Sequence, residues 1–134
     1  EQPVKKLYLS AIYTLLTGIE KTQSRKSTND TTYNHFLRRP KHNINLDISY
    51  RFTKDLSAGI SAKSVSSRFD VGGYQKDDIK LDDYFLLGAH AEYKLKSHLK
   101  FFADVQNITN KNFFDLRGYN SIPFMINGGV TFNW

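Results

Sequence analysis

Strict period-two alternation of apolar and polar side chains constrains this chain more than any other feature. Across residues 41–53, His42, Ile44, Leu46, Ile48, Tyr50 and Phe52 fall on one face, and Asn43, Asn45, Asp47, Ser49 and Arg51 on the other. A helix, with its period of 3.6, cannot separate residues that way. The same alternation recurs over 6–22, 56–68, 83–96, 99–108 and 124–134, so the sequence predicts an all-β protein of six antiparallel strands.

The connections sharpen the expectation. Residues 53–55 and 96–98 are too short for anything but tight turns, whereas 23–36, 69–82 and 109–123 are long and rich in Asn, Asp, Ser and Gly. Successive antiparallel strands reverse direction, so both turns lie at one end of the sheet and all three long loops at the other. Short turns on one rim, long loops on the other and alternating strands of about ten residues describe a transmembrane β-barrel of the outer-membrane type. Tyr50, Phe52, Tyr93, Phe132 and Trp134, near strand ends, suit interfacial aromatic girdles. The rival arrangement is a soluble or surface β-sandwich binding module whose apolar faces meet in a core.

Composition closes off other classes. With 134 residues, 40% of them apolar, the chain is one domain at most and too hydrophobic for a disordered tail. The uncharged run 7–19 is dotted with Ser and Thr and falls short of the ~20 apolar residues that a spanning helix needs. Because the chain opens on Glu1, it is expected to start after processing or within a longer protein. The absence of Cys removes disulfides, thiolate nucleophiles and Cys-based zinc sites.

No catalytic constellation emerges, and neither enzyme activity nor a cofactor is expected. His35, His42, His90 and His98 are scattered without metal-binding spacing, and no glycine loop followed by Lys is present to cradle phosphate. Asp77, Asp78, Asp82 and Asp83 share one loop and read either as a calcium-binding cluster or as solvated surface. The net charge of +6 is dispersed over turns and loops rather than gathered on one face, which argues against nucleic acid. Arg25, Lys26, Arg38, Arg39 and Lys41 flank the loop-side rim, placed for lipopolysaccharide phosphates or for solvent.

Two stretches carry resemblances. Asn127, Gly129, Phe132 and Trp134 at the end of the chain resemble the C-terminal targeting signal of bacterial outer-membrane proteins, which implies recognition by the barrel-assembly machinery. Gly129 is expected to let the closing strand pass close to another backbone. Residues 37–42, 81–87, 105–111 and 117–120 resemble, in order and spacing, the C-terminal barrel portion of a TonB-dependent outer-membrane receptor. The Arg38-Arg39-Pro40-Lys41-His42 and Gly118-Tyr119-Asn120 elements are most similar to the cobalamin-receptor branch of Bacteroidetes, although Ser121, Ile122 and Pro123 depart from it.

That resemblance implies an energised transporter in the cell outer membrane, multi-pass, with a periplasmic C-terminus. Cobalamin is the first expected ligand, with ferric siderophore or haem as the alternative. Six strands cannot close a lipid-embedded barrel, and plugged transporters of this kind have 22, so the chain is expected to be one part of a barrel domain. The implied partners are the remaining strands and plug, the TonB complex, the assembly machinery, and outer-membrane lipid and lipopolysaccharide. A small oligomeric pore completed by several copies is the third alternative. Arg51, Lys63, Glu92, Lys94, Asp104 and Gln106 would line the lumen or bond the plug. Ligand contact is expected from Tyr74, Gln75, Asp115, Arg117, Tyr119 and Asn120 in the loops, unless the loop aromatics only pack over the barrel mouth.

Overall fold

The computed structural model describes residues 6–96 and 98–133. These described residues form ten strands: β1 (Leu7–Leu15), β2 (Glu20–Gln23), β3 (Asp30–Tyr33), β4 (His42–Arg51), β5 (Leu56–Val65), β6 (Arg68–Asp70), β7 (Ile79–Leu81), β8 (Tyr84–Lys96), β9 (Leu99–Gln106) and β10 (Met125–Phe132). Six of them make one antiparallel sheet in the order β1-β4-β5-β8-β9-β10. The other four form two small ribbons, β2-β3 and β6-β7, inside the first two long loops.

Register fixes the two faces. Leu9, Ile48, Ile60, Ala89, Val105 and Ile126 form one continuous row across the sheet, each residue opposite the next. Ser49, Gly59, His90, Asp104 and Asn127 form a row on the opposite face. The apolar face is uncovered, with Leu9 and Ile126 each 66% exposed. Among the described residues no second sheet packs against it, as a sandwich would require. Bare apolar rows on one face and a polar opposite face are those of an outer-membrane barrel segment, with lipid as the solvent of the first and a lumen on the second. None of the described segments forms a helix long and apolar enough to cross a membrane.

The expected strand over 6–22 is corrected by the structure. The sheet strand stops at Leu15, and the chain turns away at Gly18, where the Phe36 ring lies so close that a β-carbon could not fit. Glu20–Gln23 then pairs with Asp30–Tyr33 instead. The third expected strand likewise ends at Val65, and Arg68–Asp70 pairs with Ile79–Leu81. Thr53 sets the tight turn between β4 and β5: its Oγ1 accepts from the N–H groups of Asp55 (3.2 Å) and Leu56 (3.0 Å). At the same rim, Tyr50 and Phe52 meet edge to face at 5.0 Å.

The packed centre lies among the loops rather than in the sheet. Val65, Leu81 and Tyr84 are the buried apolar residues, and Arg68, Asp70 and Asn107 the buried polar ones, among those described. All six sit at or beyond the loop-side rim.

Candidate functional site: a loop crown over a polar sheet face

The third loop is anchored by an Asn-x-x-Asn step at the end of β9. Asn107 and Asn110 both take the left-handed conformation, φ 49°, that Asn tolerates better than most residues. Asn107 is 4% exposed; its Nδ2 donates to the carbonyls of Lys111 and Ile122, both at 3.0 Å, and its Oδ1 accepts from the Lys111 N–H at 2.9 Å. One amide side chain therefore joins the outgoing and returning arms. Asn110 Oδ1 adds a bond from the Phe124 N–H at 2.9 Å.

A buried carboxylate joins the three loops. Asp70, 1% exposed, receives Arg38 Nε (2.7 Å) and the Val71 N–H (2.8 Å) on Oδ1, and the Arg117 N–H (2.8 Å) on Oδ2. Burial alone would raise its pKa, but the bonds from Arg117, Arg38 and Val71 outweigh burial and hold it below the usual value. Arg38 sits at φ 60°, an uncommon conformation for a bulky residue, while its N–H donates to Phe69 O at 2.6 Å. Arg117 Nη1 closes the clasp on Gly72 O at 2.7 Å.

Beside this clasp, Arg68 is 2% exposed and donates to the carbonyls of Asp82 (3.3 Å) and Phe114 and to Asp115 Oδ1 (3.2 Å). Tyr84 donates its hydroxyl to the same Asp115 oxygen at 2.8 Å and packs against Phe113, ring centroids 4.3 Å apart. On the first-loop side, Arg25 spans Asp78 (2.7 Å) and Glu20 (2.8 Å) and lies 3.8 Å above the Tyr33 ring. His35 bonds Asp78 at 2.8 Å and stacks on Phe69 at 3.9 Å.

The expected ligand residues thus fall into two groups. Tyr74 is 87% exposed at the tip of the second loop, beside Gln75 at φ 54° and Gly73 at φ 118°, and Tyr119 is 70% exposed beside exposed Asn120. Asp115 and Arg117 are engaged in holding the loops together. Arg68, Asp70 and Tyr84 escaped the sequence reading; the available signal was a charge of each sign flanking Phe69 where the third strand's alternation decays. The aspartates of the second loop turn to separate partners. Asp77 pairs with Lys26 and Asp78 with Arg25 and His35, and among the described residues no group of three or more candidate ligands gathers. Arg25, Lys26 and Arg38 are likewise in ion pairs, whereas Arg39 and Lys41 have none among the described residues.

Below the crown, the polar sheet face carries a short network. Ser49 Oγ donates to Asp47 at 3.0 Å; having given its only proton, it accepts from His90 Nε2 at 2.9 Å. His90 reaches Ser49 across Gly59, where a β-carbon would sit 2.5 Å from that nitrogen. Of the terminal signal residues, Asn127 shares this face, Gly129 faces the Phe102 ring, and Phe132 is 62% exposed on the apolar face. Trp134 lies outside the described residues, as does Ser97 in the second tight turn.

A two-faced sheet with all long loops on one rim is what barrel receptors present, and the family model for TonB dependent receptor-like β-barrels matches residues 5–108. The chain belongs to the TonB-dependent receptor family. Barrels of this family lie in the outer membrane and serve transport rather than catalysis. Among curated proteins none matches the sequence. Solved TonB-dependent receptors share its fold. The ferric-catecholate import receptor Fiu of E. coli superposes with a TM-score of 0.68 at 16% identity, over 96% of this chain and 19% of that one. The ferripyoverdine receptor of Pseudomonas aeruginosa gives 0.72 at 15% identity, over 98% and 18%. The siderophore receptor PiuA of Acinetobacter baumannii gives 0.68 at 18%, over 96% and 20%. The chain spans about a fifth of the length of these receptors.

Proposed function

We propose that this chain is the C-terminal part of one barrel domain in an outer-membrane receptor that takes up a scarce nutrient with energy delivered through TonB. The plug and the other strands would belong to the rest of the protein, the loop crown would face outward, and the tight turns and C-terminus would face the periplasm. The observation that carries the reading is the crown itself. Three long loops docked into one body stand over a polar sheet wall, with aromatic tips exposed.

For the ligand, a ferric siderophore is favoured over cobalamin. The structures superposed above are named as receptors for ferric catecholates, ferripyoverdine or siderophores. The cobalamin reading rests on residues 38–42 and 118–120, and the first of these, Arg38, is tied to Asp70. The test is uptake by cells whose sole receptor is the full-length protein, comparing radio-iron-loaded enterobactin with radiolabelled cyanocobalamin, with and without TonB. TonB-dependent accumulation of iron supports the siderophore reading, and accumulation of cobalamin alone reverses it. Accumulation of both compounds to the same level without TonB removes the energised-receptor reading.

A further inference from the structure

We propose that Asp70 is the positioning residue of the outward-facing ligand site, a buried latch that holds the exposed tips of the second and third loops at fixed separation. The inference rests on the reading of the loop tips as ligand-facing. It goes beyond that reading by placing control of the site in a residue that no ligand touches.

The argument begins with geometry. Asp70 is the one described residue whose carboxylate bonds both neighbouring loops, receiving Arg38 from the first and the Arg117 N–H from the third. Its two oxygens face opposite partners; the first loop is also joined to the second by Arg25–Asp78 and Lys26–Asp77, so the spacing that depends most on Asp70 is the one to the third loop. Arg117 completes the closure by reaching back to Gly72 O, two residues beyond Asp70 and two before Tyr74. Tyr74 on one side and Tyr119 on the other are thus each within a few residues of a bond to the same short segment. Both tips are largely exposed, so little contact of their own fixes them. Their relative position must come from the clasp beneath them.

Chemistry makes the latch selective for a carboxylate. Oδ1 accepts two donors and Oδ2 one, all within 2.8 Å, and the ionised acid has the acceptor capacity for all three. An amide has one acceptor oxygen and must turn its NH2 toward a donor, so Asp70→Asn opens one side of the clasp at nearly constant volume. Arg38→Gln removes only the arm to the first loop, from a side chain that is half exposed and tolerant of change.

Double electron–electron resonance on the full-length receptor tests this, with spin labels at Ser27, Tyr74 and Tyr119 taken in pairs and no other accessible cysteine. Heat-modifiable gel mobility verifies in each variant that the barrel is folded. The wild type is expected to give narrow distances for both Ser27–Tyr74 and Tyr74–Tyr119. Asp70→Asn should broaden the Tyr74–Tyr119 distribution and Arg38→Gln should leave it narrow, while the Ser27–Tyr74 distance, held also by Arg25–Asp78 and Lys26–Asp77, should stay narrow in both. Release of radio-iron-loaded enterobactin from the unlabelled receptor should be about tenfold faster in Asp70→Asn, because loops freed of the latch must be ordered anew in the bound state. A Tyr74–Tyr119 distribution as narrow as wild type in folded Asp70→Asn overturns the latch. Broadened distances with unchanged or absent enterobactin binding uphold the latch but overturn its role at a siderophore site.

Discussion

The Phe102 ring lies across Gly129 on the polar face of the sheet, so close that a β-carbon at 129 would sit 2.6 Å from Phe102 Cζ. The two residues are register partners on β9 and β10. Gly129 therefore serves as the slot for an aromatic ring from the neighbouring strand, a more specific role than letting two backbones approach. Gly129→Ala should destabilise the folded receptor by about 1–3 kcal/mol, the usual cost of overpacking. Adding Phe102→Ala should recover much of the loss, measured as the coupling in a double-mutant cycle of urea unfolding in detergent. Additive effects would show that the ring does not occupy the slot.

Gly59 offers a contrasting test. A β-carbon there would meet not only His90 but also Ile48 O at 2.6 Å. Backbone cannot swing aside, so His90→Ala should fail to rescue Gly59→Ala. Unfolding midpoints of the single and double variants decide the matter, and full rescue would contradict the β4–β5 geometry.

At the base of the third loop, Asn107→Ala should expose 109–123 to protease. The change removes three hydrogen bonds, each worth about 1 kcal/mol, and leaves a non-glycine residue in a left-handed conformation. Asn107→Gly relieves only the conformational part and should be intermediate. Cleavage rates of folded receptor by a nonspecific protease rank the variants, and equal rates for all three proteins would count against the anchor.

Acid should loosen the crown through Asp70. Its folded-state pKa lies below the unfolded value of about 3.9, so its contribution to stability is complete above that pH. That contribution is lost as pH falls from there through the lowered folded value. Amide hydrogen exchange in 66–83 should therefore rise at pH below about 4 in the wild type, beyond the intrinsic rate change. In Asp70→Asn the excess rise should be absent, and a persisting one would assign the effect elsewhere.

The facing of the sheet is tested by one neighbouring pair. Ile60, 56% exposed, lies on the apolar face at the middle of β5, and Ser61 on the polar face. An Arg at 60 should impair insertion into bilayers by about 2–4 kcal/mol, while Arg at 61 should be tolerated. Folding yield into phosphatidylcholine vesicles measures both, and the reverse order would invert the assignment of lipid and lumen.

The sheet was legible because its rule is local: each residue's face follows from its parity, so residues 41–53 declare both sides of the wall. The strand over 6–22 misled because alternation persists past Leu15, through Leu16 and Ile19, while the Gly18–Phe36 contact that turns the chain away joins residues far apart in sequence. The crown was hidden for the same reason. Asp70 meets Arg38 and Arg117 across separations of more than thirty residues, and nothing in the run Arg68-Phe69-Asp70 announces which cations it will find. Arg117 and Asp115 are expected as ligand groups from their type, and polar atoms of both are also joined to Gly72, Arg68 and Tyr84, partners that type alone does not announce. The exposed aromatics Tyr74 and Tyr119 kept the positions expected of them.

Because the tightly packed residues lie among the loops, the crown has an interior and a skin of its own. Sequence drift should then be graded by depth rather than by element. The exposed Tyr74 and Tyr119 can be exchanged at little cost to folding, whereas Arg68, Asp70 and Asn107 can change only in concert with their partners. With the tips facing the ligand, as proposed, a receptor of this build would alter what it captures by redecorating a fixed mount, without relearning how to fold.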